Sequence, residues 1–272
     1  VSAPIAELTR VSGEMADGDL SARASVDGDT EVRQLATAFN EMAEGVEDTF
    51  GSLRRFAGDA AHEIGTPLTA LQADLELAQD ASDDTHVRDL LDRSIGHSVR
   101  IGKLTRDLLA LSRLESVGAV AEQQRVDLTA LAEAAVDSAS SRAERGGIDL
   151  VLQQAGEDVW TLGDPSALGR ALGNLIDNAL KFTPAGGEVM VTVDRDGDSA
   201  LLRVSDTGLG ISEKDLPLIF ERFHRARSAA AIPGSGLGLA IVNAIVDAHR
   251  GRITVTSGTT GTTFEIRLPI AR

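Results

Sequence analysis

Apolar residues recur along the first third of the chain at steps of three and four. Ile5, Leu8 and Met15 outline a short amphipathic helix, after which Gly13, Gly18 and the run Asp27-Gly28-Asp29 interrupt the pattern. A second run opens at Val32 and passes through Leu35, Phe39, Met42 and Val46, a narrow seam of the kind that packs against another helix. Two parallel helices joined by a connector fit residues 1–50. The seam continues from Leu53 through Phe56, Ala60, Ile64, Leu68, Leu71 and Leu75 and fades in the polar stretch 80–84. A further helix carries Leu90, Leu91, Ile101, Leu104, Leu108 and Leu111 and ends near Gly118. This hairpin leaves too much apolar stripe to stand alone, so a homodimer joined as a four-helix bundle is expected.

Past Gly118 the pattern alternates. Helices are expected around Leu128–Ala143, from Pro165, and up to about His249. Short strands are expected at Ile148–Leu152, Val159–Leu162, Glu188–Asp194, Ala200–Ser205, Ile253–Ser257 and Thr263–Leu268. Helices and strands segregated into two layers make an α/β (α+β) sandwich. The chain therefore divides into residues 1–50, 51–117 and 118–272.

Composition narrows the function. The 272 residues include no Cys, so disulfides, thiolate metal sites and cysteine nucleophiles are excluded. A net charge of −16 repels a phosphate backbone and argues against nucleic acid as a partner. Residues 1–50, with eleven acids and three arginines, hold half of that charge, which marks a separate module. No apolar run reaches the roughly 18–20 residues that cross a bilayer. With only seven Phe and one Trp the cores must be aliphatic, and Trp160 is expected to fill core space.

Candidate chemistry begins at His62. Two positions from both Ala60 and Ile64, it points about 200° away from the seam, toward solvent. Glu63 adjoins it, Thr66 lies one turn on, and Pro67 weakens the backbone bonding of the turn behind. An accessible imidazole beside a carboxylate is a plausible nucleophile, because the acid can fix the tautomer and accept the departing proton; the plain alternative is a solvated surface histidine. On the helix from Pro165, Asn174, Asn178 and Lys181 share a polar stripe opposite Leu168, Leu172, Leu175 and Ala179. Amide oxygens and an ammonium could serve Mg²⁺ and the phosphates it bridges. Lys181 is one of only three lysines, with Lys103 and Lys214.

Asp206-Thr207-Gly208-Leu209-Gly210 closes a strand. Its carboxylate can accept from an exocyclic amine, while two glycines let backbone approach a flat ring. An aspartic protease would need a second such carboxylate, and no other Asp-Thr-Gly occurs. Gly234-Ser235-Gly236-Leu237-Gly238-Leu239 fails as a dinucleotide fingerprint, since its third glycine comes too early and no strand precedes it. As a glycine loop opening onto a helix near Leu237 it still offers N–H groups to an anion. His86, His97, His224 and His249 have no comparable setting and read as surface or structural.

Taken together, these stretches resemble a known family. His62-Glu63-Ile64-Gly65-Thr66-Pro67-Leu68 is similar to the phosphoacceptor box of sensor histidine kinases, with Gly65 where many members carry Arg. Asn174–Phe182 resembles the family's N box, Asp206–Gly210 with Ile211 its G1 box, Phe220–Phe223 its F box, and Gly234–Gly238 its G2 box. Pro4, Gly18-Asp19-Leu20, Glu31 and Phe39-Asn40-Glu41-Met42 resemble a HAMP signalling module, with Thr30 at the place of a frequent Asp.

The resemblance implies three parts: HAMP, a phosphotransfer hairpin, and an ATP-binding domain of the gyrase/Hsp90/histidine-kinase type. It further implies that ATP phosphorylates His62, with Glu63 orienting the ring and Thr66 serving dephosphorylation of a response regulator that receives the phosphoryl group on Asp. Asn178 is implied as the Mg²⁺ ligand and Asn174 as its support. Lys181 would meet phosphate, Phe182 would pack by the nucleotide and Asp206 would read the adenine amino group. Gly208, Gly210, Ile211, Gly234, Gly236, Leu237 and Gly238 would complete the nucleotide site, and Arg225–Pro233 would form a lid over it. The chain is then expected to be the cytoplasmic fragment of a bacterial inner-membrane receptor, anchored by a helix upstream of Val1. Two alternatives remain open: a catalytically silent nucleotide-binding dimeric scaffold, and a clamp-type ATPase.

Overall fold

The computed structural model describes residues 2–27, 29–81, 83–115, 123–154, 159–226, 232 and 234–271. The expected turn centre Gly28, the helix end near Gly118 and most of the expected lid, 227–231 and 233, lie outside the described residues. The chain forms two compact units, Val1–Gly65 and Thr66–Arg272.

In the first unit, α1 (Ser2–Ala16) is followed by a connector and then by α2 (Thr30–Asp80), which runs on into the second unit without a break even at Pro67. Gly18, at φ 106°, ends α1 in a backbone region that suits glycine, and Asp19 N–H returns to the Glu14 carbonyl at 3.0 Å. Val11, Ala24 and Ala36 form a small buried core, with Leu8, Ala22 and Phe39 packed on it. The connector backbone has no strand partner there, and Asn40 takes that role. Its Oδ1 accepts from Ala24 N–H at 2.9 Å and its Nδ2 donates to Ala24 O at 2.9 Å. Arg23 also pairs with Glu47. The seam residues Leu35, Met42, Val46 and Leu53, and Phe50 between them, stay exposed in the single chain.

In the second unit, α3 (Asp84–Glu115) buries Leu90, Leu104 and Leu111. Asp74, buried on α2, is paired with Arg93 at 2.9 Å and lies 3.4 Å from His97 Nε2. After α3 come β1 (Gln124–Asp127), α4 (Leu128–Gly146), β2 (Asp149–Gln154), β3 (Trp160–Gly163) and α5 (Pro165–Phe182). They are followed by β4 (Glu188–Asp196), β5 (Ser199–Asp206), α6 (Gly238–Ala248), β6 (Arg252–Gly258) and β7 (Gly261–Pro269).

The main sheet has the order β2-β4-β5-β7-β6, parallel only between β2 and β4, while β1 and β3 form a separate antiparallel pair. Burial alternates along β4 and β7, with Val189, Val191 and Val193 on one strand and Phe264, Ile266 and Leu268 on the other. One face of the sheet is therefore covered. Against it, α5 packs between α4 and α6 and buries Leu168, Leu172, Leu175 and Ala179. The two-layer α/β architecture is the expected one.

Two Asp side chains start two of the three helices of this layer. Asp127 accepts from Thr129 and Ala130 N–H at the head of α4, and Asp164 accepts from Ser166 and Ala167 N–H at the head of α5, where Pro165 occupies the first turn. The short strand β1 was not expected from the sequence. Trp160 also departs from expectation: it is half-buried, not core, and Arg125 lies 5.2 Å from its ring centroid. It lies on the two-stranded β1–β3 pair, which joins the end of β7 through Ala271 N–H to Trp160 O at 2.9 Å and Thr161 Oγ1 to Pro269 O at 2.8 Å.

Candidate functional site

The α5 stripe opens onto a cleft of ≈ 220 Å³ that also takes in the end of β5, the start of α6 and one face of α3. Leu168, Leu172 and Leu175 hold α5 in the core, which turns Asn174, Asn178 and Lys181 toward the cleft. Asn174 Nδ2 donates to Gly238 O at 3.3 Å, so the carbonyl oxygen is the end of that amide left for the cleft. Lys181 Nζ sits 4.7 Å from the Phe182 ring centroid. Burial lowers its pKa, and the nearby cations Arg225, Lys103 and Arg100 lower it further. An ammonium placed where other positive charge already gathers is suited to an anion.

Asp206, the last residue of β5, lies at another wall of the cleft. Its Oδ1 accepts from Gly208 N–H at 2.9 Å and from Thr262 N–H at 3.2 Å. These two bonds aim the carboxylate and favour its ionised form, yet burial outweighs them and raises its pKa above the ordinary Asp value.

The glycines nearby are required by protein packing as well. A Cβ at Gly208 would lie 2.5 Å from Phe182 O, and one at Gly210, whose φ is 68°, would overlap Gly258 O. Gly208 is buried and does not line the cleft, whereas Gly210 and Ile211 do. Ile211 N–H donates to Ser257 Oγ at 2.8 Å, tying this loop to β6.

Across the cleft, Gly234, Gly236 and Gly238 lead into α6. A Cβ on Gly234 would come within 2.5 Å of Lys181 Nζ, and Gly236, at φ 71°, leaves no room for one against the Phe223 backbone. Phe223 itself has φ 60°, a strained value for a large side chain, and its N–H donates to Gly236 O at 3.1 Å. The F-box and glycine-loop stretches are thus one substructure. Leu237 is wholly buried, an anchor for the loop and not part of the lining.

Several lining residues were missed: Lys103 and Asp107 on α3, Asp177 beside Asn178, and Thr262 and Phe264 on β7. Only Asp177 could have been suspected, being inside the Asn174–Lys181 run. Asp177 pairs with Arg142 at 2.7 Å and with Lys103 at 3.6 Å, and Asp107 pairs with Arg170 at 2.7 Å. Among the described residues no cluster of three or more His, Asp or Glu is arranged for a metal. A cation here would depend on amide oxygens such as that of Asn178 together with its ligand's own oxygens.

The histidine box is on α2. His62 is exposed, Glu63 and Gly65 are half-buried, and Thr66 is exposed. The ring is thus on the solvent side of the helix, as its phase relative to Ala60 and Ile64 implies.

A mixed sheet backed by three helices, with an asparagine helix, a strand-end aspartate and a glycine loop around one cleft, defines a nucleotide-domain class. Residues 163–272 match the family described as histidine kinase-, DNA gyrase B- and HSP90-like ATPase. Residues 52–117 match the His Kinase A (phospho-acceptor) domain and residues 1–48 the HAMP domain. The chain is 35% identical to the sensor histidine kinase CusS of Escherichia coli K12 over 98% of its own length and 56% of that protein. It is likewise 35% identical to the signal transduction histidine-protein kinase/phosphatase MprB of Mycobacterium sp. KMS, over 98% of its own length and 53% of that protein.

A solved mycobacterial MprB structure is 36% identical, with a TM-score of 0.50, over 54% of this chain and 98% of that one. The structure of full-length ShkA in complex with AMPPNP matches at 27% identity and a TM-score of 0.61, over 78% of this chain and 44% of that one. The chain belongs to the sensor histidine kinase family, and it spans about half the length of the curated relatives it matches. Among the described residues no helix is long and apolar enough to cross a membrane.

Proposed function

We propose that the chain is the signalling and catalytic part of a sensor histidine kinase that transfers the γ-phosphoryl group of ATP to His62 and then to an aspartate of a response regulator. One observation carries the nucleotide half of this reading. A single cleft has a hydrogen-bonded carboxylate, Asp206, on one wall and the cation Lys181 beside a glycine loop on another. A purine amine and a polyphosphate need that pairing of partners. ShkA, solved with AMPPNP, is consistent with it.

Asp206 accepts from the exocyclic amine through the oxygen that the Gly208 and Thr262 N–H groups leave open. Phe182, Leu209 and Ile211 flank the base, and Lys181 and the Gly234–Gly238 backbone hold the phosphates. Asn178 would hold Mg²⁺ through its carboxamide oxygen, supported by Asn174, and the ion would supply positive charge to offset that of the phosphates. One imidazole nitrogen of His62 attacks the γ-phosphorus as the bond to the β,γ-bridging oxygen breaks. ADP leaves with that electron pair, and Glu63 orients the ring and receives the proton of the other nitrogen.

Positioning dominates phosphoryl transfer, so a geometry set by the HAMP module can switch it. The exposed apolar residues Leu68, Leu75, Leu77, Leu91, Ile95 and Val99 support burial in a homodimeric bundle. Thr66 would orient water for regulator dephosphorylation, an activity that MprB's name includes. The whole receptor would be anchored in a membrane.

The test is incubation of the full chain with Mg²⁺ and γ-labelled ATP. Acid-labile label on wild type and none on His62→Gln is expected. Label that survives His62→Gln overturns the acceptor. Nucleotide binding without transfer favours a silent scaffold, and steady phosphate release independent of His62 favours a clamp-type ATPase.

A further inference from the structure

The cleft is not built by the nucleotide domain alone. Lys103 and Asp107, one turn apart on α3, line it together with Asn174, Asn178 and Lys181. The acids on this side are already engaged. Asp107, buried, is bonded by Arg170 at 2.7 Å, and Arg170 also donates to Arg106 O at 3.2 Å, which clamps α5 to α3. Asp177 has a close partner in Arg142, 2.7 Å from its Oδ1. Lys103 reaches only its Oδ2, at 3.6 Å, with 58% of its side chain exposed. That contact is long and screened, so it holds the ammonium weakly and can be exchanged at little cost.

We propose that Lys103 is a phosphate-binding residue of the nucleotide site, leaving Asp177 to Arg142 and directing its ammonium to the terminal phosphates of ATP. The inference rests on the nucleotide reading above and adds to it a cation from the helical hairpin. Lys103 also faces the same space as Lys181, whose pKa is lowered in part by it. Cations that disfavour one another without a ligand are relieved by a polyanion between them, so occupancy of the cleft strengthens the hold of α3 on the nucleotide domain. A longer phosphate chain gains more from this contact, which makes Lys103 a determinant of ATP over ADP.

The experiment is titration calorimetry of the full chain with Mg-ATP and Mg-ADP, for wild type, Lys103→Gln and Lys103→Arg. Lys103→Gln is expected to bind ATP about tenfold more weakly, with a smaller loss for ADP, while Lys103→Arg stays within a few-fold of wild type. Thermal unfolding without nucleotide is expected to match wild type, because the side chain is exposed. Equal ATP affinity in wild type and Lys103→Gln overturns the role of Lys103 while leaving the nucleotide site standing. Equal losses for ATP and ADP overturn the terminal-phosphate contact. Absence of ATP binding by wild type itself overturns the reading beneath.

Discussion

His249 reads the head of the asparagine helix: its Nε2 accepts from the N–H of Asp164, the N-cap of α5, at 3.0 Å. Its other nitrogen, Nδ1, lies 2.7 Å from Ile245 O, so both ring nitrogens have a backbone partner. The imidazole is 5% exposed and fills the space that a Cβ on Gly163 would occupy. One side chain thereby fixes the end of α6 against the start of α5, the two helices that carry the glycine loop and the asparagines.

Replacing His249 by Ala is expected to cost roughly 2–4 kcal/mol, since it opens a cavity and leaves Asp164 N–H without its partner, while Ile245 O keeps the backbone N–H of residue 249 at 3.1 Å. Urea unfolding of the variant checks this. A loss below about 0.5 kcal/mol would show that the bridge is dispensable.

Asp206 separates stability from function. Because burial raises its pKa, the folded chain takes up its proton more readily than the unfolded chain does. Its contribution to stability is therefore present at low pH and lost as pH rises through the raised value. Nucleotide binding has the opposite sign, since accepting an amine needs the carboxylate, and affinity falls as pH drops through a window lying above the ordinary Asp value. Asp206→Asn keeps an oxygen for Gly208 and Thr262 N–H. It is expected to fold at least as well as wild type while losing ATP affinity by tenfold or more. Paired melting and ATP titration would decide, and unchanged affinity would remove Asp206 from base recognition.

Gly210 has a backbone conformation that costs an L-residue about 1–2 kcal/mol, and a methyl group there collides with Gly258 O. Gly210→Ala should destabilise the nucleotide domain by more than that. Gly173, with no atom within 4 Å of an added Cβ, is the control, and Ala there should be neutral or stabilising by a few tenths to 1 kcal/mol. Equal unfolding midpoints for the two would contradict the packing account.

The clamp of α3 on α5 predicts an asymmetric pair of substitutions. Arg170→Ala leaves the Asp107 carboxylate buried without its cation and should cost roughly 3 kcal/mol. Arg170→Ala combined with Asp107→Leu should recover much of that loss. Chemical denaturation of the single and double variants measures the difference, and additive losses would show that the pair is not coupled.

The helices and main-sheet strands were legible because burial writes a period into the sequence: 3.6 along α5, where Leu168, Leu172, Leu175 and Ala179 are buried, and two along β4 and β7. The Asn174, Asp206 and glycine-loop stretches were legible through local motifs. What escaped depends on contacts distant in sequence. The strand β1 is four residues long and exists through its pairing with β3. Trp160 was placed in the core by its size, yet it lies on that small pair under Arg125. Lys103, Asp107 and Thr262 enter the cleft through tertiary docking of α3 and through sheet register, neither of which leaves a pattern near those positions. That the backbones of Phe182 and Gly258 also require the glycines of the Asp206 loop was not legible, because those contacts come from residues distant in sequence.

The central claim, that an exposed imidazole on α2 is charged by a nucleotide held in the α/β domain, is tested most directly by mapping the phosphoryl group. The 272-residue chain incubated with Mg-ATP, digested under alkaline conditions and analysed by mass spectrometry should yield one phosphorylated peptide, carrying the group on the His62 ring and losing it in mild acid. A phosphoryl group found instead on His97, His224 or a hydroxyl side chain, with His62 unmodified, would contradict the account.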